Sequence, residues 1–419
     1  MTLGPGLAGM AAGEPSNEAF LPLHEERDAY KPTAVFGKKV YFIAWQSGRT
    51  APGDLRKNVS FIGDIVGCRV DKSGKPLDAE PFVICGAKDL QEFPRAAFGG
   101  RNFLIVWQDL RNGKDWDVYA ARVTPEGKVL DPDGILVSGG AHNQAKPRVT
   151  WDGKSFLIVW QDFRSGKWYE VHGARVSPEG GLLDAEGVKL ASADFHHCYA
   201  PTVASAGDGR SFVLWVGSGW SGDGGRIPMA TGLFVEDGKA KGDGAYINKS
   251  NKEHGPNEYA QPIAMASGKD SYLAAWKTDS PHGRGGAPDE SNAAIFDFKG
   301  ERKANLRLAG DKAGKVIVDT DVAWDGSSFV VVWHEFVRET KIAVPSDVVF
   351  AARVAPGGKL VTGAMRLSGE LKSPASQACV ASDGAGVSLF AYEKHPEKVD
   401  VPIKVGFRML NAADSSTPD

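Results

Sequence analysis

The sequence predicts an all-β fold, a seven-bladed β-propeller of four-stranded antiparallel blades whose ring is closed by the N-terminal strand completing the last blade. Three observations carry this. A pattern of four short strands recurs along the chain, one aromatic residue marks each repeat, and the last repeat lacks a strand that the N-terminus can supply. The composition agrees: among 419 residues, 51 glycines, 24 prolines and 11 tryptophans against 6 methionines describe short extended pieces cut by turns, not a helical bundle.

The repeat is clearest in two neighbouring copies, Asn102-Phe103-Leu104-Ile105-Val106-Trp107-Gln108-Asp109 and Ser155-Phe156-Leu157-Ile158-Val159-Trp160-Gln161-Asp162. Each is preceded by Pro-Arg (Pro94-Arg95, Pro147-Arg148) and followed by Ala-Arg-Val-x-Pro-Glu-Gly (from Ala121 and Ala174), a Leu-Asp pair and a further short strand. The unit is therefore four strands, a to d, separated by turn residues. The strand-b aromatic gives the register Trp45, Trp107, Trp160, Trp215, Trp276, Trp333 and Tyr392, spaced by 53 to 62 residues. A four-strand repeat of about that length is a propeller blade. Strand a opens at Pro32, Pro94, Pro147, Pro201, Pro262, Asp321 and Ala378.

The seventh repeat, Ala378 to Leu410, ends after strand c. Phe20-Leu21-Pro22-Leu23 then supplies its strand d. The expected organisation is a loose leader at 1–19, one propeller domain at 20–410 and a short tail at 411–419. Apolar strand-b runs such as Phe156 to Trp160 fit sheets packed on both faces, and their tryptophans fill space between blades.

Several function classes are disfavoured. The net charge of −3 and the absence of any Lys/Arg run leave no basic footprint for nucleic acid. No apolar stretch reaches the roughly 18 residues of a membrane span. The four cysteines, Cys68, Cys85, Cys198 and Cys379, form no CxxC pair. One bridge between Cys68 and Cys85 across a hairpin is open to the chain, and their separation, which decides it, is not fixed by sequence.

In such a meander the d-to-a and b-to-c loops share one face and the a-to-b and c-to-d turns the other. The second face is uniform, with turns such as Trp151-Asp152-Gly153, Trp324-Asp325-Gly326 and Pro125-Glu126-Gly127. The first carries the long insertions: Ser47–Ser60, Val216–Ile227, Asn248–Tyr259, Thr278–Ser291 and Glu335–Ser346. Eight of the nine histidines fall there too (His24, His142, His196, His197, His254, His282, His334, His395), leaving only His172 in a strand c. Loops on a rigid scaffold usually hold function, and histidine serves as acid, base, ligand or donor near neutral pH. A collection of polar loop histidines without a role is the competing explanation.

Candidate catalytic residues on this face are His142, His197, Tyr199 and Arg148; candidate ligand contacts are Arg95, His196, Trp220, His254 and Tyr259. Together they suit an anionic or sugar-like ligand. Arg95 and Arg148 have an equally good structural explanation as partners of Glu92, Asp109 or Asp162. His196-His197-Cys198 offers soft donors for a bound metal if other loops complete the set. Gln108-Asp109-x-Arg111 and Gln161-Asp162-x-Arg164 read as Asp/Arg turn locks, and Gly217-Ser218-Gly219 has no P-loop lysine.

The run Phe-Leu-Ile-Val-Trp-Gln-Asp-x-Arg with Ala-Arg-Val-x-Pro-Glu-Gly and Leu-Asp resembles the repeats of large bacterial extracellular or envelope propeller proteins, across residues 20 to 410. The resemblance implies a seven-bladed propeller and a secreted or periplasmic location, and no particular reaction. The sialidase Asp box and the WD and kelch signatures are absent. A looser likeness, of fold and residue type only, is to seven-bladed polysaccharide lyases of the ulvan lyase kind. It implies a cation or neutral donor on a uronate carboxylate, with His or Tyr removing the adjacent proton. Two functions follow: a monomeric binding propeller presenting this face to a glycan or protein, or a lyase using His142, His197, Tyr199 and Arg148. A glycosidase would require two carboxylates within about 10 Å on the face.

Overall fold

The computed structural model describes residues 15–25, 27–49, 62–192, 197–220, 226–246, 263–278, 290–309, 315–337, 346–368, 373–398 and 401–412. Seven four-stranded antiparallel sheets make up the chain. Blade 1 is Asp28–Gly37, Val40–Arg49, Ile62–Asp71 and Phe82–Cys85; blade 2 is Gln91–Gly99, Asn102–Asp109, Asp117–Val123 and Ile135–Ser138. Blade 3 is Gln144–Trp151, Phe156–Asp162, Glu170–Val176 and Val188–Ala191; blade 4 is Tyr199–Ser205, Arg210–Trp220, Arg226–Glu236 and Lys239–Tyr246. Blade 5 is Ala264–Ser267, Ser271–Thr278, Glu290–Asp297 and Arg302–Ala309; blade 6 is Lys315–Trp324, Phe329–Val337, Ser346–Val354 and Met365–Arg366. Blade 7 takes strands a to c from Ala375–Ser382, Val387–Lys394 and Lys404–Asn411, and strand d from Ala19–Phe20.

The closing strand lies a few residues earlier than Phe20 to Leu23. Ala19 pairs with Phe407 and Phe20 with Gly406, and bridging reaches back to Pro15 opposite Leu410. Side chains reinforce the seam: Glu18 accepts a hydrogen bond from the Tyr392 hydroxyl at 2.7 Å and pairs with Lys394 at 3.4 Å. The ring is thus held by both ends of the chain.

Each boundary between neighbouring blades holds one apolar cluster, and each cluster contains one register aromatic. Trp45 lies between blades 7 and 1, Trp107 between 1 and 2, Trp160 between 2 and 3, and Trp215 between 3 and 4. Trp276, Trp333 and Tyr392 fill the remaining three boundaries. Alternate strand-b residues serve opposite boundaries, Phe42 and Ala44 facing blade 2 while Tyr41, Ile43 and Trp45 face blade 7. That two-sided burial is why these strands are apolar throughout.

The repeated motifs are blade clamps. Arg122 donates from Nε and Nη2 to the Asp131 carboxylate at 2.8 and 2.9 Å, and from Nη1 to the Pro178 carbonyl of the next blade at 3.2 Å. Arg69 with Asp78 and Pro125 repeats the arrangement one blade earlier. Asp109 accepts from Trp107 Nε1 at 2.8 Å and from Arg111 Nη2 at 2.6 Å, as Asp162 does from Trp160 and Arg164. In the turn Trp151-Asp152-Gly153, Gly153 has φ +99° and a Cβ there would strike the Gly207 carbonyl of the adjacent blade, so only glycine fits.

Two expectations are corrected. Cys68 and Cys85 are free and buried on opposite faces of blade 1, Cys68 against blade 7 and Cys85 against blade 2. Cys68 pairs with Ile43 and Cys85 with Ile65, so strand alternation sends their side chains apart. In blade 6, Thr320 rather than Asp321 is the equivalent of the opening proline. Thr320 pairs opposite Trp333, while Asp321 pairs opposite Val332, the position that Arg148 holds opposite Val159.

Candidate functional site

The site begins with a β-bulge that strand a repeats around the ring. Register shifts fall between Tyr30 and Thr33, Glu92 and Arg95, Ala145 and Arg148, Tyr199 and Thr202, Val318 and Thr320, and Ser376 and Cys379. At each, one non-glycine residue takes a left-handed backbone: Lys31 (φ 50°), Phe93 (58°), Lys146 (54°), Ala200 (46°), Asp319 (44°) and Gln377 (49°). The corresponding position of blade 5 lies outside the described residues. Left-handed backbone is costly for residues with a Cβ and persists where surrounding bonds enforce it. Here the enforcing bonds come from the preceding blade. Glu393 Oε1 accepts the Lys31 N–H at 2.7 Å, Gln108 Oε1 the Lys146 N–H at 3.0 Å, and Gln161 Oε1 the Ala200 N–H at 3.1 Å. The Gln of the Gln-Asp motif thus holds a bulge while its Asp holds a tryptophan and an arginine.

All six bulge residues line a cavity of about 210 Å³ at the channel mouth, beside a second of about 170 Å³ lined by strand-a residues. Lys31, Arg95, Arg148, Asp319 and Gln377 line both, so the two form one axial channel. Each is smaller than the ~300 Å³ typical of the smallest drug-sized pockets. The channel therefore suits one monomer or the end of a chain.

Its electrostatics are lopsided. Arg148 is half-buried on the channel wall and, among the described residues, its guanidinium makes no hydrogen bond and no ion pair within 4 Å. Burial, then the neighbouring Arg95 charge, push it down to about 9, against the pull of Asp321 and Asp319; it stays protonated at neutral pH. Burial lowers Lys146 as well, with Arg148 adding to the effect. Burial also lowers Lys31, whose ammonium is 3.7 Å from Glu92 and 3.3 Å from the centre of the Phe93 ring. Asp321 is raised by burial and accepts the Val380 N–H at 3.0 Å. Arg95 has one hydrogen bond, to its neighbour's carbonyl on Pro94 at 2.8 Å. Arg95 and Arg148 do not pair with Glu92, Asp109 or Asp162, whose partners are Lys31 and Gln108, Arg111, and Arg164. The expected pairing with those three carboxylates does not form, and the carboxylates that act on Arg148 are Asp321 and Asp319.

Beside the mouth, the b-to-c loop of blade 3 and the d-to-a loop of blade 4 build an aromatic cluster. The His197 and Tyr199 rings stack at 5.0 Å, Trp168 meets His197 edge-on at 4.9 Å, and Tyr169 lies 5.6 Å from Tyr199. Phe163 joins this cluster to His142 at 5.9 Å. His197 Nδ1 accepts the Tyr169 N–H at 3.0 Å, which in the neutral ring puts the proton on Nε2. Structure therefore gathers His142, His197 and Tyr199 into one cluster and sets Arg148 and Arg95 on the channel wall.

A third group spans blades 6 and 7. Ser376 Oγ lies 2.8 Å from His395 Nε2 and donates to Glu393 Oε2 at 3.2 Å. His334 is a strand-b residue rather than a loop residue; burial lowers its basicity, opposed by Asp319, Asp347 and Glu393, and its Nδ1 has no partner. Asp347 is raised by burial.

His196, His254 and Tyr259 lie outside the described residues. Trp220 ends strand b of blade 4, paired with Arg226. Cys198 is buried against blade 4, its thiol pushed up to about 12 by burial, and it is turned away from the face. Among the described residues no group of three or more His, Cys, Asp or Glu side chains is arranged to hold a metal ion. Sequence reasoning missed Lys31, Phe93, Lys146, Asp319 and Gln377. Their signal was the residue before each strand-a opening, which changes chemistry from blade to blade while the opening itself is proline in blades 1 to 5. It also missed Phe163, Trp168 and Tyr169.

Among the described residues no helix is long and apolar enough to cross a membrane. The chain matches no model of a protein family, and no curated protein matches it. Solved structures share the fold. A protein of unknown function from Dyadobacter fermentans superposes with a TM-score of 0.53 at 11% identity, over 96% of this chain and 100% of that one. The α-L-arabinofuranosidase Arb93A from Fusarium graminearum, bound to an iminosugar inhibitor, superposes with a TM-score of 0.50 at 9% identity, over 97% and 100%. At such identities the likeness shows the fold alone, and the seven blades are counted from the sheets of this chain.

Proposed function

We propose that this protein is a noncatalytic glycan-binding propeller that seats an acidic, uronate-type sugar end in the axial channel. The observation that carries the reading is Arg148, a half-buried cation with no hydrogen-bond or ion-pair partner among the described residues, opening onto a cavity shared with Arg95, Lys146 and Lys31. A charge-assisted hydrogen bond donated to a ligand carboxylate satisfies it, contributing about 1.5–3 kcal/mol. The aromatic cluster beside the mouth offers apolar ring faces for the rest of the sugar. The arabinofuranosidase with its bound iminosugar supports a sugar in a propeller of this kind. We place the protein outside the cell or in the periplasm, where such glycans are met, and as a monomer.

The test is calorimetric titration with oligogalacturonates and, for comparison, neutral arabino-oligosaccharides. Wild type should bind the acidic series preferentially, and Arg148→Gln should weaken that binding at least tenfold, about 1.4 kcal/mol. Equal affinity for the neutral series, or an unaffected Arg148→Gln, overturns the reading.

The stacked His197 and Tyr199 favour a second reading, a polysaccharide lyase with Arg148 on the uronate carboxylate. Incubation with polyuronates separates the two. Ultraviolet-absorbing unsaturated ends that disappear in His197→Ala would establish the lyase, and their absence leaves the binding function.

A further inference from the structure

Around the ring the bulge recurs, and the residue at its left-handed position changes chemistry from blade to blade. Proline opens strand a at 32, 94, 147 and 201, and a Gln or Glu of the preceding blade receives the bulge N–H at Lys31, Lys146 and Ala200. The bulge residues themselves are Lys, Phe, Lys, Ala, Asp and Gln. A fold that only needed the bend would place glycine or asparagine at a left-handed position, since these adopt it at least cost. Five residue types at six strained positions, all lining the mouth, indicate that the side chains are there for what they meet. Bulges are a common device for re-aiming side chains beside functional sites.

The arrangement is also polar. Lys31 and Lys146 stand on blades 1 and 3, and Asp319 and Gln377 on blades 6 and 7. Asp319 is near enough to act electrostatically on both Lys146 and Arg148, and among the described residues its Oδ2 has no hydrogen-bond partner. A carboxylate in a cationic mouth repels a second anion.

We propose that these six bulge residues form a specificity crown, in which Lys146 directs a single ligand carboxylate toward blade 3 and Asp319 rejects a second negative charge on the opposite side. This rests on the acidic-sugar reading above and deepens it. Discrimination arises as much from Asp319 as from the lysines, because specificity is a difference of affinities and a repulsive group serves it directly.

The test uses the full chain with galacturonate, carrying one carboxylate, and digalacturonate, carrying two, as calorimetric probes. Asparagine replaces each crown residue because it tolerates left-handed backbone. Lys146→Asn should weaken both probes about tenfold. Asp319→Asn should raise the affinity for digalacturonate relative to galacturonate at least fivefold, and Lys154→Asn, on an a-to-b turn of the other face, should change neither. Thermal melts of all variants must stay within a few degrees of wild type; a variant that melts early is replaced by the corresponding glycine. If Arg148→Gln loses binding while Lys146→Asn and Asp319→Asn leave both affinities and their ratio within twofold, the crown is overturned and the acidic-sugar reading stands. If wild type binds neither probe, both fall.

Discussion

Gln108 Oε1 accepts the main-chain N–H of Lys146 at 3.0 Å, across the boundary between blades 2 and 3, while its Nε2 donates to Glu92 at 2.8 Å. One amide therefore satisfies a strained backbone group in the next blade and a buried carboxylate in its own. Gln108→Leu should cost about 1–3 kcal/mol in urea unfolding, the penalty for leaving buried polar groups unsatisfied. It should also weaken acidic-sugar binding, because Lys146 loses its enforced orientation. An unchanged urea midpoint would show that the bulge stands without the latch.

Asp162 is the most heavily used carboxylate of blade 3. It accepts from Trp160 Nε1 and from the Arg164 main chain and guanidinium, and those bonds hold its charge form below the ordinary range despite burial. Asp162→Ala strands a buried indole N–H and a guanidinium, so a loss of about 3–5 kcal/mol is expected. Asp162→Asn keeps one acceptor and should lose less. Denaturant unfolding of the two variants checks the order.

The pH response near neutrality should pass through His334. Burial lowers it from its ordinary 6.5, so between that value and its folded value the unfolded chain binds more protons than the native one. Its stabilising contribution is full above about pH 6.5 and is lost as pH falls through the folded value. Asp347 has the opposite sign: raised by burial, it favours the folded state at low pH and loses that contribution as pH rises through its folded value. Melting temperatures followed from pH 8 to 5 should fall less steeply in His334→Gln than in wild type. Parallel curves would remove His334 from the account.

Asp117, at the start of strand c in blade 2, is pushed up to about 6, by burial first and then by Asp115 and Asp109, against the Asn112 hydrogen bond. A raised carboxylate favours folding at acid pH and loses that contribution as pH rises through about 6. Asp117→Asn should therefore stabilise the protein by about 1 kcal/mol at pH 7.5, with the difference vanishing near pH 4. The comparison is the variant-minus-wild-type stability at those two pH values.

The sequence by itself determined the ring. Strand-b aromatics must be buried between blades, so Trp45 to Tyr392 recur at nearly even spacing, and the turn and clamp residues recur with them because every blade solves the same local problem. It also determined which face carries the variable loops. Only the tertiary structure decided which residues share a site. Cys68 and Cys85 look paired in the chain and face opposite neighbours in the sheet, since one step of strand register reverses a side chain. Asp321 and Thr320 exchange roles for the same reason. Lys31, Lys146 and Asp319 converge because a bulge adds one residue to strand a, and that insertion leaves no mark in a hydrophobic period. Arg148 is unusual only for the partner it lacks, which is a property of the space around it and not of its neighbours in the chain.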